Sequence, residues 1–98
     1  MENKAEKELR ILAVCGMGLG SGLVLKMTIE KVLKDLNIKA RVSVADVVSA
    51  KSEKADLIVT SSEFEGSFKG SGIKVITVKN YVDADEMKEK IISALEDL

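Results

Sequence analysis

The chain has no histidine, no proline and no tryptophan, and Cys15 is its only cysteine. Without histidine there can be no Cys-His dyad and no phosphohistidine carried by this chain, and one thiol cannot assemble a zinc cluster. Neither a metal nor a cofactor is expected. A single cysteine cannot close an internal disulfide, which fits a reducing compartment and leaves Cys15 available for chemistry. Two Phe and one Tyr are the only aromatics, too few for base-stacking platforms or a large aromatic ligand pocket. Charge of one sign is lacking as well: 15 Lys and Arg stand against 16 Asp and Glu, with no segment of clustered like charge. Neither a nucleic-acid footprint nor a membrane-surface patch follows, so the expected partner is a protein or a small molecule. No apolar run approaches the roughly 20 residues that span a bilayer. The opening Met-Glu-Asn-Lys-Ala-Glu-Lys-Glu is charged where a signal peptide would be apolar. The expected location is the cytoplasm.

What is present is enough apolar material for one core. Of the 98 residues, 46% are hydrophobic, which supports a single compact domain and leaves no room for a second. Residues 1–8 are polar and expected to be flexible, so the domain is placed at 9–98. Leu9 to Val14 is nearly continuous in apolar residues and reads as a buried strand. From Gly22 to about Leu36, Leu25, Ile29, Val32, Leu33 and Leu36 recur at three- and four-residue steps, with Ser21 as the expected N-cap and Asn37 as the stop. Lys26, Glu30 and Lys34 line the opposite, solvated face at i,i+4 spacing. Ala40 to Val44 alternates with period two, as an edge strand does. A short helix follows, capped by Asp46. Ala55 to Thr60 and Ile73 to Val78 supply two more strands, joined by a polar connection with a helical turn around Phe64 and Phe68, both expected in the core. Asp83-Ala-Asp-Glu86 has the spacing of a capping box ahead of the stripe Met87, Ile91, Ala94, Leu95 and Leu98.

Alternating strands and helices imply a parallel sheet covered on both faces, with right-handed crossovers. The expected fold is α/β: a four-stranded parallel sheet of order 2-1-3-4 in a Rossmann-like or flavodoxin-like three-layer αβα arrangement. In that order the chain leaves the first strand to one side and later returns to its other side, so a ligand crevice lies beyond that strand's carboxyl end. Cys15 sits there. The Ser61-Ser62 pair and Asn80 follow later strands at the same end and are candidates for the rim.

The segment after Cys15 carries the chemistry. Gly16, Gly18, Gly20 and Gly22 alternate with Met17, Leu19 and Ser21, more glycines than a turn requires, which implies exposed backbone shaped around a ligand. The N–H groups at the start of the next helix favour an anion, and the same field favours Cys15 as its thiolate. Met17 and Leu19 either tuck back onto the sheet or form an apolar docking contact.

Two nucleotide-loop patterns fail on spacing. Counting from Gly16, the last glycine of Gly-x-Gly-x-x-Gly is replaced by Ser21, and counting from Gly18 it is replaced by Leu23. No Gly-Lys-Ser or Gly-Lys-Thr is present. A single phosphoryl group is the ligand that fits, held by residues 16–22. Cysteine phosphatases also set a nucleophilic Cys after a strand, but six residues further on they place the Arg that clamps phosphate. Here that position is Ser21, and no Asp stands in the loop as an acid. Such a loop can hold a phosphocysteine without helping water attack it, as a carrier must.

The run Cys15-Gly-Met-Gly-Leu-Gly-Ser-Gly-Leu-Val-Leu-Lys-Met27 resembles the loop and helix of IIB components of the bacterial sugar phosphotransferase system, especially the ascorbate type. The similarity continues through Ala55 to Ser61 and Val78-Lys-Asn80. It implies a phosphotransferase whose Cys15 accepts phosphate from a phosphohistidine of the IIA component. Cys15 would then pass the phosphate to a sugar in the membrane IIC permease, through which the chain would sit at the membrane. A galactitol- or mannitol-type IIB protein, or a hydrolase resembling the low-molecular-weight cysteine phosphatases, is the alternative.

Overall fold

A computed structural model describes residues 8–15 and 19–97. The residues expected to form a flexible start lie outside that range, apart from Glu8, as do Gly16, Met17, Gly18 and Leu98. The elements are β1 (Leu9–Val14), α1 (Leu19–Asp35), β2 (Ala40–Ala45), α2 (Val47–Ser52), β3 (Leu57–Thr60), a 3-10 helix (Ser62–Phe68), β4 (Lys74–Thr77) and α3 (Ala84–Glu96). All four strands are parallel in the order β2-β1-β3-β4. This is the order expected from the alternation of elements, and it makes β2 an edge strand, as its period-two pattern implies.

Strand periodicity divides the core into two layers. Ile11 and Ala13 of β1, with Leu57 and Val59 of β3, face α1 and α3, where Leu25, Ile29, Val32, Leu33, Met87, Ile91 and Ala94 are buried. Leu12, Val14 and Ile58 point the other way, onto Ala50 of α2 and Phe68 of the 3-10 helix. The apolar stripe of α1 is therefore the inner face that its spacing implies. Phe68 is core, while Phe64 is half-buried.

Local chemistry sets the element ends. Asn37 takes a left-handed conformation (φ 59°), in which its N–H donates to Lys34 C=O at 3.1 Å and the N–H of Ile38 donates to Leu33 C=O at 2.9 Å. These two bonds satisfy carbonyls that the end of α1 leaves open. Asp46 caps α2 by accepting from the Ser49 N–H at 2.6 Å. Asp83 caps α3 by accepting from the Glu86 N–H at 3.0 Å. Only this half of the capping box forms. The Glu86 carboxylate reaches the N–H groups of Lys79 at 2.8 Å and Asn80 at 3.2 Å instead, while the Asp83 N–H is already occupied by the Asn80 carbonyl. The expected start of α1 is also corrected: the helix begins at Leu19, so Ser21 lies in its first turn and is not its N-cap. No ion pair joins Lys26 to Glu30 among the described residues.

Gly22 lets α1 approach the sheet. A Cβ on it would stand 2.5 Å from Val44 Cγ1 and 3.0 Å from Cys15 Sγ. Gly22→Ala is thus expected to push α1 from β2. Overpacking of this kind costs about 1–3 kcal/mol, against a gain of about 0.8–1.0 kcal/mol from helix propensity. Thermal melting should show a fall of about 5 °C, and an unchanged midpoint would mean that the contact relaxes without cost.

The Asp46 carboxyl is held below the ordinary carboxylate range, chiefly by the backbone N–H of Ser49, then by the Ser49 side chain. A depressed carboxyl adds stability that is present above its unfolded-state pKa and lost as pH falls through its folded-state value. The melting difference between the parent and Asp46→Ala should be full at neutral pH and shrink on acidification through and below the ordinary carboxylate range. A difference that does not change with pH would show that the charge of the cap is immaterial.

Candidate active site around Cys15

Cys15 follows β1 directly, at the carboxyl end of a strand paired on both sides, and is 6% exposed. Its N–H donates to the Ala45 carbonyl at 3.3 Å, continuing the β1–β2 ladder by one residue. On the other side, Thr60 Oγ1 donates to the Val14 carbonyl at 2.8 Å. Thr60 is fully buried, and its own carbonyl accepts from the Val78 N–H at 3.0 Å. The carboxyl ends of β1, β3 and β4 are thereby tied together one residue before Cys15.

The Cys15 side chain lies on the α1 side of the sheet, as alternation with Ile11 and Ala13 requires and as the approach of Gly22 to Sγ confirms. The first turn of α1 therefore stands beside Sγ. The N–H groups of Leu19, Gly20 and Ser21 belong to that turn, where an α-helix has no internal acceptors for them and its field is positive. No acidic residue occupies the turn. A buried thiol next to the first turn of a helix suits an anionic group bonded to sulfur, and three phosphoryl oxygens match the N–H donors that such a turn presents.

Of the residues expected to bind phosphate, Leu19, Gly20, Ser21 and Gly22 are in α1, whereas Gly16, Met17 and Gly18 lie outside the described residues. Gly22 is buried inside the helix, where its lack of a side chain serves close packing. Ser61, Ser62 and Asn80 are at the same end of the sheet, where Ser61 and Asn80 make side-chain hydrogen bonds within local turns. Ser61 Oγ donates to Glu63 Oε1 at 3.4 Å, and Asn80 Oδ1 accepts from the Val82 N–H at 3.0 Å. Lys26 is half-buried one turn further along α1. Thr60 was not singled out by sequence reasoning. Its signal is a hydroxyl closing the otherwise apolar strand Leu57-Ile-Val-Thr60.

Beside the site, α1 exposes Leu23 (53%), Val24 and Met27 (60%), and Val82 (66%) lies across a groove lined by Val24, Met27, Thr28, Lys31, Val82 and Ala84. Among the described residues, no group of three or more His, Cys, Asp and Glu side chains is gathered as a metal site. Likewise, no described helix is long and apolar enough to cross a membrane.

Comparisons with known proteins bear on the family and the fold. Residues 10–93 match the family model described as the lactose/cellobiose-specific IIB subunit of the PTS system. An ascorbate-specific PTS EIIB component of Mycoplasma pneumoniae is 32% identical over 97% of this chain and 100% of its own length. Its counterpart in Escherichia coli O157:H7 is 34% identical over 91% of each. In fold, the lactose-specific IIB domain of the Streptococcus pneumoniae phosphotransferase system superposes with a TM-score of 0.64 at 18% identity, covering 92% of this chain and 97% of that one. The chain accordingly belongs to the lactose/cellobiose-type IIB family, phosphotransferase subunits of the phosphoenolpyruvate:carbohydrate phosphotransferase system.

Proposed function

We propose that this chain is the IIB phosphoryl carrier of an ascorbate-type sugar phosphotransferase system, with Cys15 as the carrier residue. The observation that carries the reading is the position of Cys15 Sγ, at the carboxyl end of the central strand and against the first turn of α1. The ascorbate assignment rests on relatives of 32% and 34% identity that bear that name over nearly their whole length.

The cycle has two displacements. The Cys15 thiolate attacks the phosphorus of a phosphohistidine on the IIA component, so an S–P bond forms as the N–P bond breaks and the imidazole leaves. A hydroxyl oxygen of the sugar held by the IIC permease then attacks the same phosphorus. The S–P bond breaks, the thiolate is restored and the hydroxyl proton passes to solvent or a base. Both steps need in-line geometry and neutralisation of charge on the equatorial oxygens. The first-turn N–H groups of α1 serve that purpose, together with residues 16–18 and the Ser21 hydroxyl. Leu23, Val24 and Met27 give the incoming IIA component an apolar face next to the nucleophile. Docking on IIC brings the carrier to the membrane. Ser21 stands where a phosphatase has its arginine, so the phosphocysteine is expected to persist until the sugar arrives.

Incubation with phosphorylated IIA protein followed by intact-mass measurement tests this reading. The parent should gain one phosphate, stable over the measurement and with negligible turnover of an aryl phosphate. Cys15→Ser should keep the fold, because the side chains are similar in size, and should lose phosphate acceptance completely, because a hydroxyl stays protonated where a thiol ionises. Sugar phosphorylation that survives in the serine variant would exclude Cys15 as the carrier, and rapid release of aryl alcohol by the parent would favour a hydrolase.

A further inference from the structure

We propose that Thr60 is a positioning residue for Cys15: its buried hydroxyl fixes the Val14–Cys15 peptide and, through it, the direction of the Cys15 side chain. The functional half of this statement rests on Cys15 being the phosphoryl acceptor.

The peptide group between Val14 and Cys15 is planar, so hydrogen bonds on its two opposite edges determine its orientation. One edge, the Cys15 N–H, is bound to Ala45 of β2 at 3.3 Å. The other, the Val14 carbonyl, accepts from Thr60 Oγ1 of β3 at 2.8 Å. Pairing of β1 with β3 ends at Ala13 and Val59, so this carbonyl lies one residue beyond the paired segment. The threonine hydroxyl extends the link between the strands by that one residue.

Thr60 is well placed to hold still. Its β-branched side chain is stiff about χ1, it is fully buried, and its own carbonyl is tied to Val78 of the β4 side. Val14 is fully buried too. A hydrogen bond at such a depth is strong, and a carbonyl that loses its donor there is left costly. Valine would fill the same space in a strand that reads Leu-Ile-Val before it, so a hydroxyl at this position is explained by the bond it makes. Phosphoryl transfer is sensitive to such placement: a displacement of about 1 Å at the reacting atom can cost on the order of a hundredfold in rate. The Cα–Cβ direction of Cys15, and hence the approach of Sγ to the first turn of α1, is set by this peptide.

The test uses the full chain with Thr60→Val, Thr60→Ser and, as a control of lowered stability away from the site, Ile91→Val in α3. Hydrogen exchange of the Cys15 amide, measured by NMR relative to the Ala13 amide, reads the peptide directly. Intact mass after exposure to phosphorylated IIA protein, well below the melting temperature, reads the rate of phosphate acceptance. Thr60→Val should speed Cys15 exchange about tenfold and slow acceptance about tenfold or more, Thr60→Ser should restore both to within about twofold, and Ile91→Val should move neither selectively.

Equal values for Thr60→Val and the control would overturn the proposal. So would normal acceptance with a loosened amide, or slowed acceptance with the amide unchanged. A parent that takes no phosphate while Thr60→Val still loosens the Cys15 amide would refute the carrier reading and leave the positioning of Cys15 standing. Should the valine variant fail to fold, Thr60→Ala, which also lacks the hydroxyl, enters the same comparison.

Discussion

Pairing of β1 on both edges is the constraint on which the rest of this molecule depends. With β2 on one side and β3 on the other, the first strand of the chain becomes the centre of the sheet, and each of its partners must be reached by a crossover. The first crossover carries α1 over one face. The next carries α2 over the other, because right-handed connections leaving a strand in opposite directions cover opposite faces. The two core layers follow from that, and so does the crevice at the carboxyl end of β1, where the chain departs one way and returns the other. Cys15 is the first residue past the pairing.

The same constraint bears on how a chain without histidine could serve the carrier role proposed for Cys15. The sequence offers no side-chain base between Cys15 and Gly22, and the first turn of α1 is brought against the sheet at Cys15 by the missing side chain of Gly22. A sheet interior supplies rigidity beneath Cys15, and the helix N-terminus beside it presents N–H groups of the kind that bind anions. Burial of Cys15 on the α1 side keeps the sulfur between the two. Fixed backbone dipoles require no reorganisation as a charged group arrives, which suits the phosphoryl carrier proposed above.

Around this centre, the polar residues near the ends of the strands divide between two tasks. Asp46, Asp83, Asn80 and Glu86 are engaged in capping and turn geometry, holding the connections at the active end of the sheet in shape. Thr60 alone among them is fully buried and bound to the strand that leads into Cys15. The apolar residues left uncovered on α1, Leu23, Val24 and Met27, are close in sequence to the first turn of that helix and are not among the core residues.

Much of this was legible without coordinates. The order of elements, the strand order 2-1-3-4, the buried stripe of α1 and the caps Asp46 and Asp83 follow from periodicity and local hydrogen-bonding chemistry, which neighbouring residues impose on one another. Cys15 stood out because a lone thiol between an apolar strand and a run of glycines has few structural reasons to be there. The start of α1 lies three residues earlier than the serine cap implies, since a serine is a good cap only where the chain turns, and here the helix already begins at Leu19. The capping box was half right because the Glu86 carboxylate found better donors across the turn than the Asp83 N–H. Gly22 and Thr60 owe their roles to residues 22 and 46 positions away along the chain, Val44 and Val14. Sequence by itself determined which segments form and what chemistry the chain can attempt, because those depend on local propensity and residue type. Where Sγ points and what holds it there were decided by strand register and helix packing, which bring together groups that no local pattern connects.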